Sequence, residues 1–329
     1  MNPQKILIKK GEAESRRITR GELYGAEVYP LRFCGIPEQD FKKAKVVLIP
    51  VPYDATTTYK SGSREGPLAI LQASMQIDEA WGEGEWHPIV NDKFFYTYEH
   101  WLVPYGGSTK EHLESLHDFI SREVVAKHKI PFILGGEHSL AYANIQAVHR
   151  KTPDFSILHF DAHPDLRPSY HGDPYSHSAV LRRSFELGPR VSLTSVGIRS
   201  VDRDVRKYIV AEQKKNTSEK SLHIFYAPEV PVEEIDATLK EKVYITFDLD
   251  AFDHSLMPAV GTPQPGGLTW YPVIGLLEHV ILRHTILGMD VVELAPIPGM
   301  IAPDFAAAKL VWKMLEALYR KGRGLAEED

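Results

Sequence analysis

The feature of this sequence that most constrains its fold is a series of continuous apolar segments separated by amphipathic ones. Seven segments are rich in β-branched residues and stay apolar at successive positions, and an eighth, FFYTY, is weaker. Such runs are typical of strands that are buried on both faces of a parallel sheet. The seven are KVVLIPV, PFILGG, FSILHF, RVSLTSVGI, LHIFYA, KVYITFDLD and TILGMDVVEL.

Segments with helical periodicity lie between these runs. A capping box of Ser108 and Glu111 predicts one helix start, and apolar residues recur from Leu113 at helical spacing. The last helix is predicted from about Asp304 to Gly322. This alternation predicts an α/β fold with three layers, α/β/α, around a mainly parallel sheet of about eight strands.

Composition bounds the domain organisation and the classes of partner. The chain has 329 residues, a formal net charge of −6 and one cysteine, Cys34. We interpret residues 1–44 as an N-terminal arm packed on the main domain, which spans residues 45–329. A mildly acidic chain is a poor candidate for nucleic-acid or membrane binding, and one cysteine allows no intramolecular disulfide. Without an apolar signal region or membrane span, the expected compartment is the cytoplasm.

Acidic and histidine side chains cluster where predicted strands end. Asp161, His163 and Asp165 follow FSILHF at every second position, so we expect them on one side of an extended segment. Asp248 and Asp250 have the same spacing after KVYITF. In open α/β sheets, ligands bind beyond the carboxyl ends of the strands. The two groups are therefore expected to converge if their strands are close in the sheet.

Two further strand ends carry candidate site residues: PFILGG leads into Glu137 and His138, and TILGMDVV leads into Glu293. A cluster of unpaired carboxylates in a crevice is unfavourable, because like charges raise each other's pKa and burial adds to this effect. A divalent cation removes that penalty. Oxygen and nitrogen ligands without thiolate suit Mn²⁺, with Fe²⁺, Co²⁺, Ni²⁺ or Zn²⁺ as alternatives. Each motif alone is weaker evidence for a metal site, since an Asp-rich turn is more often a loop or a helix cap.

Other site chemistries find little support. The sequence has no GxxxxGK[ST] motif, no GxGxxG after a strand and no GxSxG motif, so the usual phosphate-binding loops and nucleophile elbow are missing. A dinuclear phosphoesterase would need Lys, Arg or Asn near the metals, whereas the strand ends carry mainly acids and histidines.

The motifs, in this order, resemble those of the ureohydrolase family, which includes arginase and agmatinase. GGEHS, FDAHPDL and ITFDLDAFDHSLMPAVGTPQPGGL resemble its metal-binding motifs, and MDVVELAP resembles the segment with its substrate-binding glutamate. VPYDATTTYKSGSREGPLAI resembles the N-terminal signature, especially of the agmatinase branch. Departures are His254 in place of the usual proline, PAVGTP in place of a more glycine-rich form, and SHSA in place of SHGT.

The resemblance implies an arginase-like fold and two Mn²⁺ ions per subunit. Carried over to this sequence, it makes Asp161 and Asp248 ligands of both ions. The implied ligands are His138, Asp161, Asp165 and Asp248 for one ion and His163, Asp161, Asp248 and Asp250 for the other.

The resemblance also places two residues at the substrate. Glu293 would contact the guanidinium group, and His177, in the loop DPYSHSAVLRR, would lie near the substrate. As a mechanistic hypothesis, His177 could supply or relay the proton of the leaving amine, and Asp250 could accept the proton of the attacking hydroxide. His171 is a second histidine of that loop, and Asp253 is interpreted as a structural acid that fixes the following loop.

The implied reaction is hydrolysis of a cationic guanidino compound, with agmatine giving urea and putrescine, as in polyamine biosynthesis. Guanidinobutyrate is the close alternative, with Arg167 or Arg182 available for its carboxylate. Other guanidino or formimino compounds, and a metal-binding member without activity, stay open. Because the family commonly forms trimers or hexamers, a homotrimer or homohexamer is expected.

Overall fold

The computed structural model describes residues 31–82, 85–99 and 107–324. Within these ranges, every predicted apolar run forms a strand, and the eight strands make one sheet. A separate pair of two-residue strands forms a small hairpin. The strands are β1 Val46–Val51, β2 Trp81–Gly82, β3 Glu85–Trp86, β4 Phe95–Thr97, β5 Ile130–Gly135, β6 Phe155–Phe160, β7 Val191–Ile198, β8 Leu222–Tyr226, β9 Lys242–Asp248 and β10 Thr285–Val292.

The order in the large sheet is β4-β1-β5-β10-β9-β6-β7-β8, and every neighbouring pair is parallel. The predicted mainly parallel sheet is therefore confirmed. Parallel strands are joined by crossovers, so helices cover both faces of the sheet and bury both. This explains why the strand sequences are continuously apolar.

Two apolar layers flank the sheet and complete the three-layer architecture. The helices are α1 Gly66–Ser74, α2 Pro88–Asn91, α3 Thr109–Glu123, α4 Leu140–Lys151, α5 Val180–Phe185, α6 Arg203–Gln213, α7 Val232–Asp236, α8 Trp270–Arg283 and α9 Ala302–Gly322. Val46 and Leu48 face a core with α1, α8 and α9, whereas Val47 and Ile49 face a core with α3, α4 and α6.

The predicted helix signals agree closely with the structure. The capping box of Ser108 and Glu111 is formed at the start of α3, and Leu113 is buried. The last helix begins at Ala302, two residues before the predicted start. Within the described ranges, no helix is both long enough and apolar enough to cross a membrane.

The predicted N-terminal arm is only partly described. Residues 1–30 lie outside the described ranges. Phe33 and Ile36 are buried in the core that contains α1, and Phe33 packs edge-on against Phe95 at 5.9 Å. The boundary at residue 44 stays a prediction.

The strand order positions the site. β5 and β6 follow each other along the chain but are not neighbours in the sheet, because β10 and β9 lie between them. The carboxyl ends of β5, β10, β9 and β6 are therefore consecutive along one edge. Such a switch in strand order is where open α/β sheets bind ligands.

Close backbone contact at Gly136 holds this edge together. Gly136 N–H donates to the carbonyl of Val51, and its own carbonyl accepts from Glu293 N–H. A Cβ at position 136 would lie 1.9 Å from the carbonyl oxygen of Tyr53. No side chain fits there, so the junction of β1, β5 and β10 requires glycine.

Replacing this glycine is therefore expected to destabilise the protein. Gly136→Ala should lower the free energy of unfolding by about 3 kcal/mol, because the backbone must move to relieve the clash. Gly275 in α8 has open space around its Cβ position. The control Gly275→Ala should be neutral or stabilising by up to about 1 kcal/mol. Urea denaturation measures both; equal stabilities would contradict the expected close contact.

Candidate functional site

The four consecutive strand ends supply seven of the eight predicted site residues. Each of the seven lies at the end of a strand or in the segment that directly follows it, so the sheet fixes their separation. His138 follows β5, Glu293 follows β10, Asp248 ends β9 and Asp250 follows it, and Asp161, His163 and Asp165 follow β6; the eighth, His177, lies further along the chain after β6.

Asp161 lies at the centre of this group and is fully buried. Its Oδ2 is 3.2 Å from Nδ1 of His138, and its Oδ1 is 3.4 Å from Nδ1 of His163. The two oxygens of one carboxylate thus face two different imidazoles, which is the arrangement of a ligand shared between two sites.

The first of these two sites surrounds His138. Its Nδ1 also lies 3.2 Å from Asp165 Oδ2 and 3.4 Å from Asp248 Oδ2. Among the described residues, this buried nitrogen has no hydrogen-bond partner with acceptable geometry. A buried nitrogen that faces three carboxylate oxygens without hydrogen-bonding to them fits a metal cation, which would coordinate all four atoms.

The second site surrounds His163. Its Nδ1 is 3.0 Å from Asp250 Oδ2, and ligand atoms of Asp161, His163 and Asp250 all lie within 4.8 Å of one another. Both sites offer carboxylate oxygen and imidazole nitrogen, which is a suitable donor set for a divalent first-row metal.

The path of the chain after β6 differs from the prediction. The extended segment ends at Phe160, and Asp165 has a left-handed backbone with φ of 51°. Asp250 lies in a 3-10 turn, Leu249–Ala251, and Glu293 is also left-handed with φ of 69°. The prediction that Asp161, His163 and Asp165 share one side of an extended segment is therefore wrong. They converge because the chain turns, and such strained conformations are common at functional sites.

Backbone N–H groups hold the carboxylates in place. Asp250 Oδ1 accepts from Ala162 N–H at 2.9 Å, and Asp248 Oδ1 accepts from Asp250 N–H at 2.8 Å. Asp161 Oδ1 accepts from His163 N–H at 2.6 Å. The first of these bonds joins the segment after β6 to the segment after β9.

The structure adds His159, which the sequence analysis missed. It lies in β6 at the same two-residue spacing as Asp161, and this spacing was the available signal. Nε2 of His159 is 2.9 Å from Asp161 Oδ2, and Nδ1 is 3.0 Å from Ser195 Oγ. Nitrogen and oxygen atoms of His138, His159 and Asp161 lie within 4.8 Å of one another, which is close enough to share a metal ion. Because both ring nitrogens of His159 already have partners, however, this residue orients Asp161 and is a poor candidate for a metal ligand.

A second missed group orients His138. Its Nε2 lies 2.8 Å from Thr246 Oγ1, which in turn donates to Asp290 Oδ1 at 2.6 Å. Asp290 also accepts from the Tyr244 hydroxyl at 2.6 Å. Metal-binding histidines commonly have such a partner on the second ring nitrogen. The signal was a charged residue in the middle of the apolar run TILGMDVV.

Burial and mutual repulsion shift the pKa values of these acids. Burial, then the Asp161 charge, raises the pKa of Asp165 to about 7. Burial, then the charge of Glu137, raises the pKa of Glu293 to about 8. Burial opposes the charge of His163, but Asp250 and Asp161 raise its pKa to about 12. The cluster therefore holds excess protons that a bound cation would displace.

A cavity of about 410 Å³ opens onto these groups. The predicted site residues that line it are His163, Asp165, His177, Asp248, Asp250 and Glu293. Its volume suits a small organic molecule. Oε1 of Glu293 accepts from the backbone N–H of His138 at 2.7 Å, which fixes this carboxylate at the cavity wall.

His177 and His171, which lie further along the loop after β6 than His163, have different environments. His177 lines the cavity, and its Nδ1 is 3.1 Å from Thr56 Oγ1. Burial, then the charge of His138, lowers the pKa of His177 to about 4. His171 is exposed and packs edge-on against Tyr170 at 4.4 Å.

Asp253 has the structural role that the sequence suggested. Its Oδ2 accepts from Gly266 N–H at 2.7 Å and Gly267 N–H at 3.0 Å, and its Oδ1 accepts from Ser255 N–H at 3.0 Å. Hydrogen bonds from Ser255 and Gly267 hold its pKa well below the ordinary value. The acid thus joins both ends of the loop that follows β9.

The two arginines that the sequence offered for a substrate carboxylate are each paired with an acid. Arg167 lines the cavity and forms an ion pair with Asp202 at 2.8 Å. Arg182 pairs with Glu186 at 2.6 Å and lies over the Tyr208 ring.

Comparisons with known proteins agree with this geometry. The arginase family model matches residues 44–316. An N(1)-aminopropylagmatine ureohydrolase of Thermus thermophilus is 37% identical over 282 residues, covering 84% of this chain and 92% of the relative. An agmatinase of Bacillus subtilis is 32% identical over 284 residues, covering 84% and 90%.

Solved structures show the same fold. An agmatine ureohydrolase of Thermoplasma volcanium has a TM-score of 0.74 and 26% identity, and the match covers 93% of this chain and all of that one. The chain therefore belongs to the arginase, or ureohydrolase, family and is a hydrolase of its agmatinase-like branch.

Proposed function

We propose that the chain holds two Mn²⁺ ions at this edge of the sheet. His138, Asp161, Asp165 and Asp248 would bind one ion, and His163, Asp161, Asp248 and Asp250 the other. The proposal rests on the position of Asp161, whose carboxylate directs one oxygen towards Nδ1 of His138 and the other towards Nδ1 of His163. When bound, such a pair of cations activates a water molecule for nucleophilic attack and stabilises developing negative charge.

The proposed reaction is hydrolysis of a guanidino compound. Water adds to the guanidino carbon, the bond from that carbon to the substituted nitrogen breaks, and urea and an amine are released. For agmatine the amine is putrescine. A planar guanidinium fits a carboxylate through charge-assisted hydrogen bonds, and Glu293 is the cavity carboxylate whose position is fixed by the backbone of His138.

The chain's own residues would orient the substrate and move protons. Glu293 directs the guanidino carbon towards the metal ligands, and binding of a cation restores the ionised form of this acid. Asp250 would accept a proton from the attacking water. His177 would relay a proton: a ring nitrogen with a free lone pair takes up a proton and passes it to the nitrogen of the leaving amine, which needs one to depart as a stable product.

Agmatine is the proposed substrate, and its N(1)-aminopropyl derivative is the second candidate. Relatives named agmatinase support the first. The second rests on relatives named N(1)-aminopropylagmatine ureohydrolase, which are 37% and 32% identical to the chain. Guanidinobutyrate ranks lower, because Arg167 is already paired with Asp202 and Arg182 with Glu186.

Removing a shared ligand is expected to abolish both metal binding and turnover. Asp161→Ala or Asp248→Ala should reduce urea release roughly 1,000-fold or more, since both ions lose a ligand. Bound manganese should fall below two ions per chain. Asp118→Ala, on an exposed acid of α3, is the matched control and should keep both. Normal metal content and full activity in the Asp161 variant would refute the ligand assignment.

Glu293→Gln tests the substrate contact separately from the metals. The amide keeps the shape but loses the negative charge, so urea release should fall about 100-fold or more while manganese content stays unchanged. The assay should compare agmatine, N(1)-aminopropylagmatine, arginine and guanidinobutyrate. Failure of the wild-type protein to release urea from every compound would support a metal-binding protein without this activity.

The effect of Mn²⁺ on thermal stability should depend on pH. Above about pH 6.5, His163, Asp165 and Glu293 of the folded metal-free protein retain protons that the unfolded chain has released. Raised pKa values of this kind make the folded state less stable as pH rises. Metal binding displaces these protons, so the increase in Tm on adding Mn²⁺ should grow between about pH 6.5 and about pH 8.

Thermal denaturation with EDTA or with excess Mn²⁺ at several pH values measures this dependence. Asp161→Ala serves as the control, and its Tm should respond weakly to Mn²⁺ at every pH. An increase in Tm that stays constant or shrinks with rising pH in the wild-type protein would contradict the expected proton release.

A further inference from the structure

Three segments that are far apart in sequence meet at the Thr56 hydroxyl. Thr56 follows β1, Glu137 follows β5, and His177 lies in the loop after β6. Thr56 Oγ1 is 2.6 Å from Glu137 Oε1 and 3.1 Å from His177 Nδ1. The same oxygen accepts from the backbone N–H of His177 at 3.0 Å. A side-chain hydroxyl therefore connects a buried carboxylate to the cavity histidine.

Counting the donors and acceptors decides where the protons lie. A threonine hydroxyl has one proton and two lone pairs. The backbone N–H of His177 occupies one lone pair. The carboxylate of Glu137 is both the closer and the stronger acceptor for the single proton. The remaining lone pair then faces Nδ1 of His177, and only a protonated Nδ1 can form that hydrogen bond.

The carboxylate is well placed to keep the Thr56 proton. Glu137 is fully buried, and its Oε2 accepts from the backbone N–H of Thr56 at 2.6 Å. Its Oε1 accepts from Ser139 Oγ at 2.5 Å in addition to Thr56 Oγ1. Because a backbone N–H can only donate, the Thr56 backbone fixes the orientation of this acid.

We propose that Thr56 and Glu137 are positioning residues that set the tautomer of His177, with the proton on Nδ1 and the lone pair of Nε2 available to the cavity. This inference rests on the proposed function, in which His177 moves a proton at the substrate. The low pKa of His177 keeps the ring neutral near pH 7, so the choice of tautomer determines which nitrogen can accept a proton. An Nε2–H tautomer would have no lone pair at Nε2 for this task.

Thr56→Val and Thr56→Ser form a matched pair of variants. Valine keeps the shape and removes the hydroxyl, whereas serine keeps the hydroxyl. With Mn²⁺-loaded protein and agmatine, Thr56→Val should lower kcat about 100-fold with KM and manganese content unchanged, because proton transfer is impaired and substrate binding is not. Thr56→Ser should restore kcat to within a few-fold of wild type.

The tautomer itself can be read by ¹⁵N NMR of the Zn²⁺-loaded protein, in which the metal is diamagnetic. The spectrum of His177→Asn identifies the His177 signals among the 15 histidines. Wild type and Thr56→Ser should show Nδ1–H, and Thr56→Val should shift towards Nε2–H. Glu137→Gln is a second test if the valine variant folds poorly. Its amide group would donate to Thr56, which would then donate to Nδ1 and favour Nε2–H.

The tautomer reading does not depend on turnover. If wild type shows Nδ1–H but releases no urea, the proposed function fails and the tautomer assignment stands. Nε2–H in the wild-type protein would overturn the inference at any level of activity. Equal kcat values and equal tautomers in the valine and serine variants would overturn it as well.

Discussion

The convergence of buried carboxylates at the ends of β6 and β9 is the constraint on which the rest of the site depends. Asp161 and Asp248 approach each other at the centre of the sheet edge, where bringing two like charges out of water is unfavourable. Imidazole groups on either side reduce that cost, and metal cations would remove it. The fold keeps the acids together because their strands are held in register by the parallel ladder between β6 and β9.

A second layer of buried polar groups holds these acids and histidines in one orientation. His159 contacts Asp161, and Thr246 with Asp290 contacts Nε2 of His138. These residues lie within the strands themselves, so the interior of the sheet contains polar and ionisable side chains where apolar side chains would pack at a lower cost. Their presence is explained by the directions in which the ligand atoms must point. In the same way, Thr56 and Glu137 would orient His177, which lies beside the substrate cavity.

Much of the fold could be predicted because strands buried on both faces require continuous apolar runs. All eight runs became strands of the sheet. The acids at the ends of β6 and β9 predicted a site there, but the spacing of the residues did not predict the left-handed turn at Asp165. The contact of Thr56 with His177 was also beyond prediction, since it depends on three loops that only the sheet order brings together.

Anomalous X-ray diffraction at the manganese edge, from crystals grown with Mn²⁺, would locate the two proposed ions directly. If the ions share Asp161 and Asp248, two separate anomalous peaks per chain are expected, one beside His138 and one beside His163, with both carboxylates between them. A single peak, or peaks away from these residues, would contradict a two-ion site with shared carboxylates.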